Sequence, residues 1–333
     1  MQKILLCFLL SFIFSLIISP LVIKLIKLMK GKQSILSYVE KHKSKQGTLT
    51  MGGLIFLFGS IFSFAFVMFG NNTLALVSIL TMFGFGLLGF LDDFIKIKFK
   101  QNLGLRAYQK FIGQIGLGLI LGFFIYNNSL IGDKLLIPFT DKSIEIGWWI
   151  IPFVTIFYAA VVNSVNFVDG LDGLAGSVTF VTIIAFSFLI GIVNLKSVGS
   201  GFVGNAQAEE YYNLITLSAG VAGCVLAFLV LNCFPAKIFM GDTGSLALGG
   251  FLASIVAFSG QYLMIFIVGF IYVLTTFSII LQVGYYKLTK KRIFKMAPLH
   301  HHFEQCGLHE NKIVVIYTAI TIMLSVFSII LSI

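Results

Sequence analysis

Apolar runs long enough to cross a lipid bilayer recur along this chain, and they constrain its fold more than any other feature. A membrane-spanning helix needs about 17 to 25 predominantly apolar residues. We place such spans near residues 4–23, 52–69, 73–91, 111–126, 148–162, 174–193, 211–231, 244–260, 262–284 and 313–332. Only 11% of the 333 residues are charged, against roughly 25% in an average soluble domain. The sequence therefore predicts an all-α polytopic membrane protein of about ten transmembrane helices, in a single domain over residues 1–333.

The positive charges fall mostly on one side of the predicted membrane. Segments 24–50, 92–110, 232–243 and 285–312 together hold 19 of the 23 Lys and Arg residues. Loops rich in these residues stay in the cytoplasm, so we expect these segments to be cytoplasmic. An even number of spans then puts both termini on the non-cytoplasmic side. Topology and contacts with anionic membrane lipids account for the net charge of +10, and we do not expect nucleic-acid binding.

Two adjacent carboxylates, Asp92 and Asp93, end one of the apolar runs. A helix C-terminus carries partial negative charge and disfavours carboxylates, so a further interaction is expected to hold them there. Salt bridges to Lys96, three and four residues further along a helix, are one explanation. A role in a site at the cytoplasmic face is the other, and the pair alone leaves both open.

A second acidic group lies in the sequence NFVDGLDGLAG. Asp169 and Asp172 are three residues apart and share a face of a helical turn, while the neighbouring glycines allow a ligand to approach closely. Asn166 lies three residues earlier, and Asn232 ends another span. A plain turn with an Asp cap would explain the two acids alone. The convergence of amides and carboxylates on one face favours a site.

A further carboxylate, Asp242, lies in the Gly-rich turn FMGDTGSLALGG immediately before a span. It could cap that helix by accepting hydrogen bonds from free backbone N–H groups. It could also bind Mg²⁺, which keeps most of its coordination sphere for waters and phosphate oxygens. Both roles are possible at once through different carboxylate oxygens.

Three consecutive histidines, His300, His301 and His302, lie in the basic segment before the last span. Neighbouring side chains diverge by about 100° in a helix or 180° in a strand, so we do not expect a three-His metal site. The imidazoles either donate hydrogen bonds to phosphate oxygens or lie in a solvated loop.

Lysines near the predicted acids also have two interpretations. Lys45 and Thr50 lie in the segment KHKSKQGTLTMGG, and Lys110 begins another span. Polybasic segments bind anionic headgroups, and an interfacial lysine can extend its amine to the membrane surface. Alternatively these groups bind phosphate, because phosphoryl transfer needs cations to neutralise oxygens and a carboxylate to orient or deprotonate the nucleophile.

The ordered motifs resemble a known family. GTLTMGG, FLDDFIK with GLRAYQK, NFVDGLDGLAG, FMGDTGSLALGG and MAPLHHHFE occur in this order between about Gly47 and Glu310. This set closely resembles the phospho-N-acetylmuramoyl-pentapeptide transferases of the polyprenyl-phosphate N-acetylhexosamine-1-phosphate transferase superfamily. The resemblance implies a ten-helix enzyme of the bacterial plasma membrane with its active site facing the cytoplasm. It implies transfer of phospho-MurNAc-pentapeptide from UDP-MurNAc-pentapeptide to undecaprenyl phosphate in peptidoglycan synthesis, with release of UMP.

The same resemblance implies roles for individual residues. Asp242 is expected to bind Mg²⁺, and Asp92 is favoured to deprotonate or position the lipid phosphate. The expected catalytic residues are Asp92, Asp93, Asp169, Asp242 and Lys110. The expected substrate-binding residues are Lys45, Thr50, Asn166, Asp172, Asn232, Phe239, His300, His301 and His302. A homodimer is a further expectation from the family.

The chain departs from the family pattern at a few positions and leaves some alternatives open. Leu49 stands where Pro is usual, and Leu308 and Ile316 stand where Trp and Arg are usual. We expect direct attack by the lipid phosphate, and a route through an aspartyl-phosphate is the rival. The alternative functions are a sibling transferase that uses UDP-N-acetylglucosamine and a secondary transporter with ion-relaying carboxylates. Acids clustered at one membrane face favour a transferase.

Overall fold

The computed structural model describes residues 1–29, 47–99, 104–199 and 204–333, which form a predominantly helical bundle. The helices are α1 (Gln2–Leu28), α2 (Gly53–Ala65), α3 (Thr73–Lys98), α4 (Ala107–Asn127), α5 (Ile150–Val168), α6 (Leu174–Gly199), α7 (Asn205–Asn232), α8 (Gly241–Phe258), α9 (Ile265–Val268), α10 (Phe270–Thr289), α11 (Leu299–Gln305) and α12 (Glu310–Ser332). One antiparallel hairpin, β1 (Lys134–Leu136) and β2 (Ser143–Glu145), lies between α4 and α5.

Nine helices in the described ranges are long and apolar enough to cross a membrane. Helix α2 is also apolar but has only 13 residues, and it corresponds to the predicted span 52–69. The prediction of an all-α polytopic membrane protein is thereby confirmed. The side of the membrane on which each terminus lies stays a prediction.

The continuous span predicted for residues 262–284 is wrong at its start. Tyr262–Met264 form a 3₁₀ turn, α9 covers four residues, and Gly269 lies between α9 and α10 with φ −91° and ψ 21°. Glycine is poorly suited to a helix interior, and a Cβ at this position would lie 2.6 Å from the Ile265 carbonyl oxygen. Helix α10 therefore begins only at Phe270 and runs beyond the predicted end.

Helix α8 lies at the centre of the bundle, because every residue from Thr243 to Phe258 is buried. It packs against α3 and α5 through glycines, which allow helix backbones to approach closely. A Cβ at Gly89 of α3 would overlap the carbonyl oxygen of Asp242, and a Cβ at Gly249 of α8 would lie 2.6 Å from the Cα of a valine in α5. Small residues thus hold α3 against the beginning of α8.

The two ends of the bundle carry different groups. At one end, called the site end below, α3 and α5 finish and α8 begins, which brings Asp92 and Asp242 together. The opposite end holds the turn between α2 and α3, the β-hairpin, and Trp148 stacked on Trp149 with ring centroids 4.2 Å apart. Both indoles are exposed, as is typical of side chains at a membrane–water interface.

Candidate active site

Asp242, in the first turn of α8, joins side chains from three other helices. Its Oδ2 accepts hydrogen bonds from Nζ of Lys96 in α3 at 2.9 Å and from Nζ of Lys110 in α4 at 2.7 Å. Its Oδ1 accepts a hydrogen bond from Nδ2 of Asn166 in α5 at 2.8 Å. The interpretation of Asp242 as the N-cap of α8 is wrong, because Asp242 lies within the first turn of the helix and its oxygens accept hydrogen bonds from these three side chains.

Asp92 is buried beside the same lysines. Its Oδ2 lies 2.6 Å from Nζ of Lys96, and its Oδ1 lies 3.6 Å from Nζ of Lys110. Oδ1 also accepts a hydrogen bond from the N–H of Leu105 at 2.9 Å. The bridge from Asp92 to Lys96, considered from their spacing, therefore exists, but Lys96 is shared with Asp242. The bridge is part of a larger charged cluster.

Asp93 holds the beginning of α8. Its Oδ2 accepts hydrogen bonds from the N–H of Thr243 at 2.9 Å and from Oγ1 of Thr243 at 2.7 Å, and its Oδ1 accepts one from the N–H of Asp242 at 3.3 Å. The N–H groups of a first helical turn have no partner within their own helix, and the helix dipole favours a carboxylate there. Asp93 therefore caps α8 from a different helix and fixes the position of Asp242.

The three carboxylates have the donor set of a site for a hard divalent cation. One oxygen each of Asp92, Asp93 and Asp242 lies within 4.8 Å of the others. Mg²⁺ prefers oxygen ligands and usually takes one or two carboxylates together with waters and phosphate oxygens. All three carboxylates have partners, but Asp93 is bound by backbone N–H groups of α8, whereas Asp92 and Asp242 share the flexible lysine Lys96, whose ammonium group can give way to a cation. Asp92 and Asp242 would therefore hold the ion. Three carboxylates and the two lysines leave one net negative charge, which a divalent cation would offset.

Asp169 follows α5 as its C-cap residue and lies near the same charges. Burial, followed by the negative charges of Asp242 and Asp93, raises the pKa of its carboxyl to about 8. Within the described residues, no hydrogen bond to this carboxyl is found. Asp169 is therefore a carboxyl group whose pKa lies near neutral pH, as suits a general base.

Asp172 and Asn232 are brought together by the loop that follows α5. Oδ2 of Asp172 accepts a hydrogen bond from the N–H of Ala236 at 3.0 Å. Oδ1 of Asn232 accepts one from the N–H of Gly173 at 3.1 Å, and its Nδ2 donates to the carbonyl oxygen of Ile238 at 2.9 Å. Both side chains are buried. In this structure they tie the loop between α5 and α6 to the segment after α7.

Thr50 lies next to the beginning of α8. A Cβ at Gly241 would lie 2.9 Å from Oγ1 of Thr50, and Gly241 has a φ of +73°, so this turn favours glycine for two reasons. The N–H of Phe239 donates to the carbonyl oxygen of Leu49 at 2.8 Å, which ties the turn to the segment that carries Thr50. Lys45 lies outside the described residues.

The three consecutive histidines lie on helix α11 and have different surroundings. His300 is fully buried, and a Cβ at Gly170 would overlap its Nε2. Burial lowers the pKa of His300 well below its usual range, which keeps the ring neutral. Nδ1 of His301 lies 3.1 Å from Oε2 of Glu304, whereas Nδ1 of His302 accepts a hydrogen bond from a backbone N–H of the preceding loop. α11 thus reaches the loop after α5 through Gly170.

Two residues of the charged cluster are absent from the site residues predicted from the sequence. Lys96 bonds to both Asp92 and Asp242, although the sequence indicates it only as a partner in a helix salt bridge. Thr243 donates to Asp93 across a separation of 150 positions. The spacing of four residues from Asp92 is a signal for Lys96, whereas nothing in the sequence indicates the contact of Thr243.

Comparisons with known proteins agree on one family. The model of the family "Glycosyl transferase family 4" matches residues 75–260 of this chain. The phospho-N-acetylmuramoyl-pentapeptide-transferase of Clostridium novyi (strain NT) is 42% identical over 317 residues, which cover 95% of this chain and 93% of the relative. The transferase of the same name from Clostridium perfringens (strain 13 / Type A) is 44% identical over 325 residues and 96% of each chain. The chain therefore belongs to glycosyl transferase family 4 and, within it, to the phospho-N-acetylmuramoyl-pentapeptide transferases.

Proposed function

We propose that this protein transfers phospho-MurNAc-pentapeptide from UDP-MurNAc-pentapeptide to undecaprenyl phosphate and releases UMP. The product is the first lipid-linked intermediate of peptidoglycan synthesis. This proposal rests on one observation: three carboxylates and two lysines from α3, α4 and α8 lie in contact at one end of the bundle. The names of the relatives specify the transferred group for those proteins, and 42% to 44% identity over nearly the whole chain supports the same group here.

We further propose that the site end faces the cytoplasm of a bacterial cell. This rests on the segments 24–50, 92–110, 232–243 and 285–312, which hold 19 of the 23 positive residues, because loops rich in Lys and Arg stay in the cytoplasm. A site at the membrane surface can receive a soluble nucleotide and a lipid-anchored phosphate together.

The lysines of the cluster are the proposed phosphate-binding groups. Lys96 donates to Oδ2 of Asp242 and also contacts Oδ2 of Asp92, and Lys110 donates to Oδ2 of Asp242. A lysine ammonium carries three donors, so at least one N–H of each lysine remains. The remaining donors can bind oxygens of the diphosphate and of the lipid phosphate. Mg²⁺ bound by Asp92 and Asp242 would supply further neutralisation of phosphate charge. Asp93 keeps these groups in place by holding the beginning of α8.

In the proposed step, an oxygen of the lipid phosphate forms a bond to the sugar-proximal phosphorus. The bond from that phosphorus to the bridging oxygen breaks, and its electron pair leaves with UMP. A proton on the attacking phosphate passes to a carboxylate, and Asp92 and Asp169 are the candidates. The rival route forms an aspartyl-phosphate first. A labelled phospho-enzyme, trapped with the nucleotide substrate in the absence of lipid, would contradict direct attack.

The test of this proposal is UMP release by the purified protein in detergent with undecaprenyl phosphate and Mg²⁺. UDP-MurNAc-pentapeptide and UDP-N-acetylglucosamine are compared as donors. Asp242→Ala is the test variant, and Asp141→Ala, at an exposed carboxylate of the opposite end, is the control. We expect pentapeptide-dependent release that only Asp242→Ala abolishes. Release with UDP-N-acetylglucosamine alone would indicate the sibling transferase, and no release with either donor from a folded sample would contradict transfer altogether.

A further inference from the structure

The loop 169–173 between α5 and α6 is held by side chains from distant parts of the chain. The N–H of Asp172 donates to Oε1 of Glu310 at 2.5 Å, and the N–H of Gly173 donates to Oδ1 of Asn232 at 3.1 Å. These partners lie 138 and 59 positions away along the chain. The conformation of this loop therefore depends on where α12 and the end of α7 lie.

Glu310 is well suited to such a contact. It is the first residue of α12 and is 8% exposed. Free N–H groups and the helix dipole stabilise a carboxylate in the first turn of a helix. A hydrogen bond from an N–H to a carboxylate is shorter and stronger than one to a neutral acceptor. Glu310 thus connects the beginning of α12 firmly to the loop.

Helix α11 contacts the same loop at a second point. Gly170 lies so close to His300 that a Cβ there would overlap the imidazole Nε2. The single segment 299–310, which holds α11 and the first residue of α12, therefore touches the loop at Gly170 and again at Asp172. Asp169 directly precedes the first of these contacts, so its position depends on both.

We infer that Glu310 is a positioning residue, which fixes the loop 169–173 and thereby the position of Asp169, the first residue of that loop. In this role Glu310 acts through the backbone N–H of Asp172. The catalytic consequence rests on the function proposed above, whereas the hold on the loop does not.

Three variants of Glu310 separate its charge, its length and its acceptor oxygen. Glu310→Gln keeps an oxygen that can accept the N–H of Asp172, Glu310→Asp keeps the charge on a shorter side chain, and Glu310→Ala removes the acceptor. Asn311→Ala, at the exposed next position, is the matched control. Hydrogen–deuterium exchange in detergent, read by mass spectrometry on the peptide that contains residues 169–173, reports on the loop without turnover.

We expect exchange in this peptide to be faster by about tenfold in Glu310→Ala, since a hydrogen bond to a charged group is lost. Glu310→Asp and Glu310→Gln should each show a smaller increase, because each keeps an acceptor oxygen, and Asn311→Ala should stay close to wild type. If Glu310→Ala folds and its peptide exchanges at the wild-type rate, the inference is overturned. If Glu310→Ala does not fold, an exchange rate in Glu310→Asp equal to that of wild type would overturn the inference instead.

Kinetics then test the consequence for catalysis. In Glu310→Ala, kcat per folded enzyme should fall by about tenfold or more, because misplacement of a catalytic group lowers the rate of the chemical step. The KM for UDP-MurNAc-pentapeptide should change much less, and Glu310→Gln should recover most of the rate. A purely structural residue would lower the yield of folded protein and leave kcat unchanged, which would overturn the positioning role. Faster loop exchange in Glu310→Ala, with no turnover by the wild type, would contradict the proposed function while supporting the hold on the loop.

Discussion

Carboxylates from other helices cap helix N-termini at both ends of the bundle. At the opposite end, Glu210 of α7 accepts hydrogen bonds from the N–H groups of Thr73 at 3.0 Å and Leu74 at 2.9 Å, where α3 begins. At the site end, Asp93 of α3 accepts them from the N–H and hydroxyl of Thr243, where α8 begins. Both contacts pair a negative group with free N–H groups and the positive end of a helix dipole.

The surroundings of the two caps differ. Among the described residues, Glu210 has no salt bridge, and it is half-buried. Asp93 is 4% exposed and lies within 4.8 Å of carboxylate oxygens of Asp92 and Asp242, which share Lys96. The cap at the opposite end joins two helices, whereas the cap at the site end also supports a cluster of charges. Variants of the two ends should therefore change different properties of the protein.

The largest effect is expected at the centre of the charged cluster. Asp242→Asn should lower kcat by about 10³-fold or more, because it removes the charge that binds both lysines and a proposed ligand of Mg²⁺, a contribution of several kcal/mol. The melting temperature should fall by a few degrees, because Asn keeps the shape but has one acceptor oxygen for donors that bind both oxygens of Asp242. UMP release and thermal unfolding in detergent measure the two quantities. A kcat close to wild type would show that the chemistry lies elsewhere and that the two ends do not differ in function as proposed.

The second effect concerns pH and the carboxyl of Asp169. Its pKa is raised to about 8, chiefly by burial, and Mg²⁺ at Asp242 would lower it by offsetting negative charge. If Asp169 is the base, kcat/KM should therefore rise with pH and level off by about pH 8. In Asp169→Asn this rise with pH should disappear, and kcat/KM should fall by about 10²-fold. The same shift means that the folded protein binds a proton that the unfolded chain releases above about pH 4. The stabilisation from Asp169 is therefore full below about pH 4 and is lost as pH rises through about 8.

Profiles of kcat/KM between about pH 6 and 10 report the pKa values of the free enzyme. Glu210→Gln, at the opposite end, should keep the wild-type profile and serves as the control. An unchanged rise in Asp169→Asn would assign it to another group, with Asp92 as the next candidate.

Most helices at both ends could be predicted from the sequence, because backbone groups in lipid must be paired within a helix. The predictions fail where local residues or distant contacts decide a boundary. Helix α3 runs to Lys98, beyond the predicted end at residue 91, and so contains both Asp92 and Asp93. Contacts from Leu105, just before α4, and from α8 stabilise these carboxylates at the C-terminal end of the helix. A hydropathy pattern does not reveal such contacts.

The roles of neighbouring acids could not be divided from the sequence. The motifs predict a shared site for Asp92, Asp93 and Asp242, and the structure brings them together. Successive residues of a helix point about 100° apart, so Asp92 meets lysines while Asp93 meets the beginning of α8. Which acid faces which group depends on how α3 packs on α8. The cap from Glu210 joins residues 136 and 137 positions apart and gives no signal in the sequence.

A smaller effect, on both activity and stability, is expected for the cap at the site end. Asp93→Ala should lower the free energy of unfolding by about 1 to 2 kcal/mol, as for other lost N-caps, and lower kcat by about tenfold because the beginning of α8 shifts. Asp93→Asn keeps one acceptor for Thr243 and should retain most of the stability. Thermal unfolding and UMP release are compared for both variants. Full stability with no activity in Asp93→Ala would show that Asp93 takes part in the chemistry itself.

The smallest effect on activity is expected at the opposite end. Glu210→Ala removes the acceptor of two N–H groups at the beginning of α3, which should cost about 1 kcal/mol of stability, as for other lost caps. Its kcat should remain within about twofold of wild type, since α3 is also held against α8 at Gly89, and a shift at one end of a helix fades over the following turns as packing restrains it. Thermal unfolding in detergent measures the stability, and UMP release measures kcat, with Glu210→Gln as the variant that keeps one acceptor oxygen. A loss of kcat as large as that of Asp93→Ala would mean that strain passes along the whole of α3, and the two ends would then have to be treated as one coupled unit.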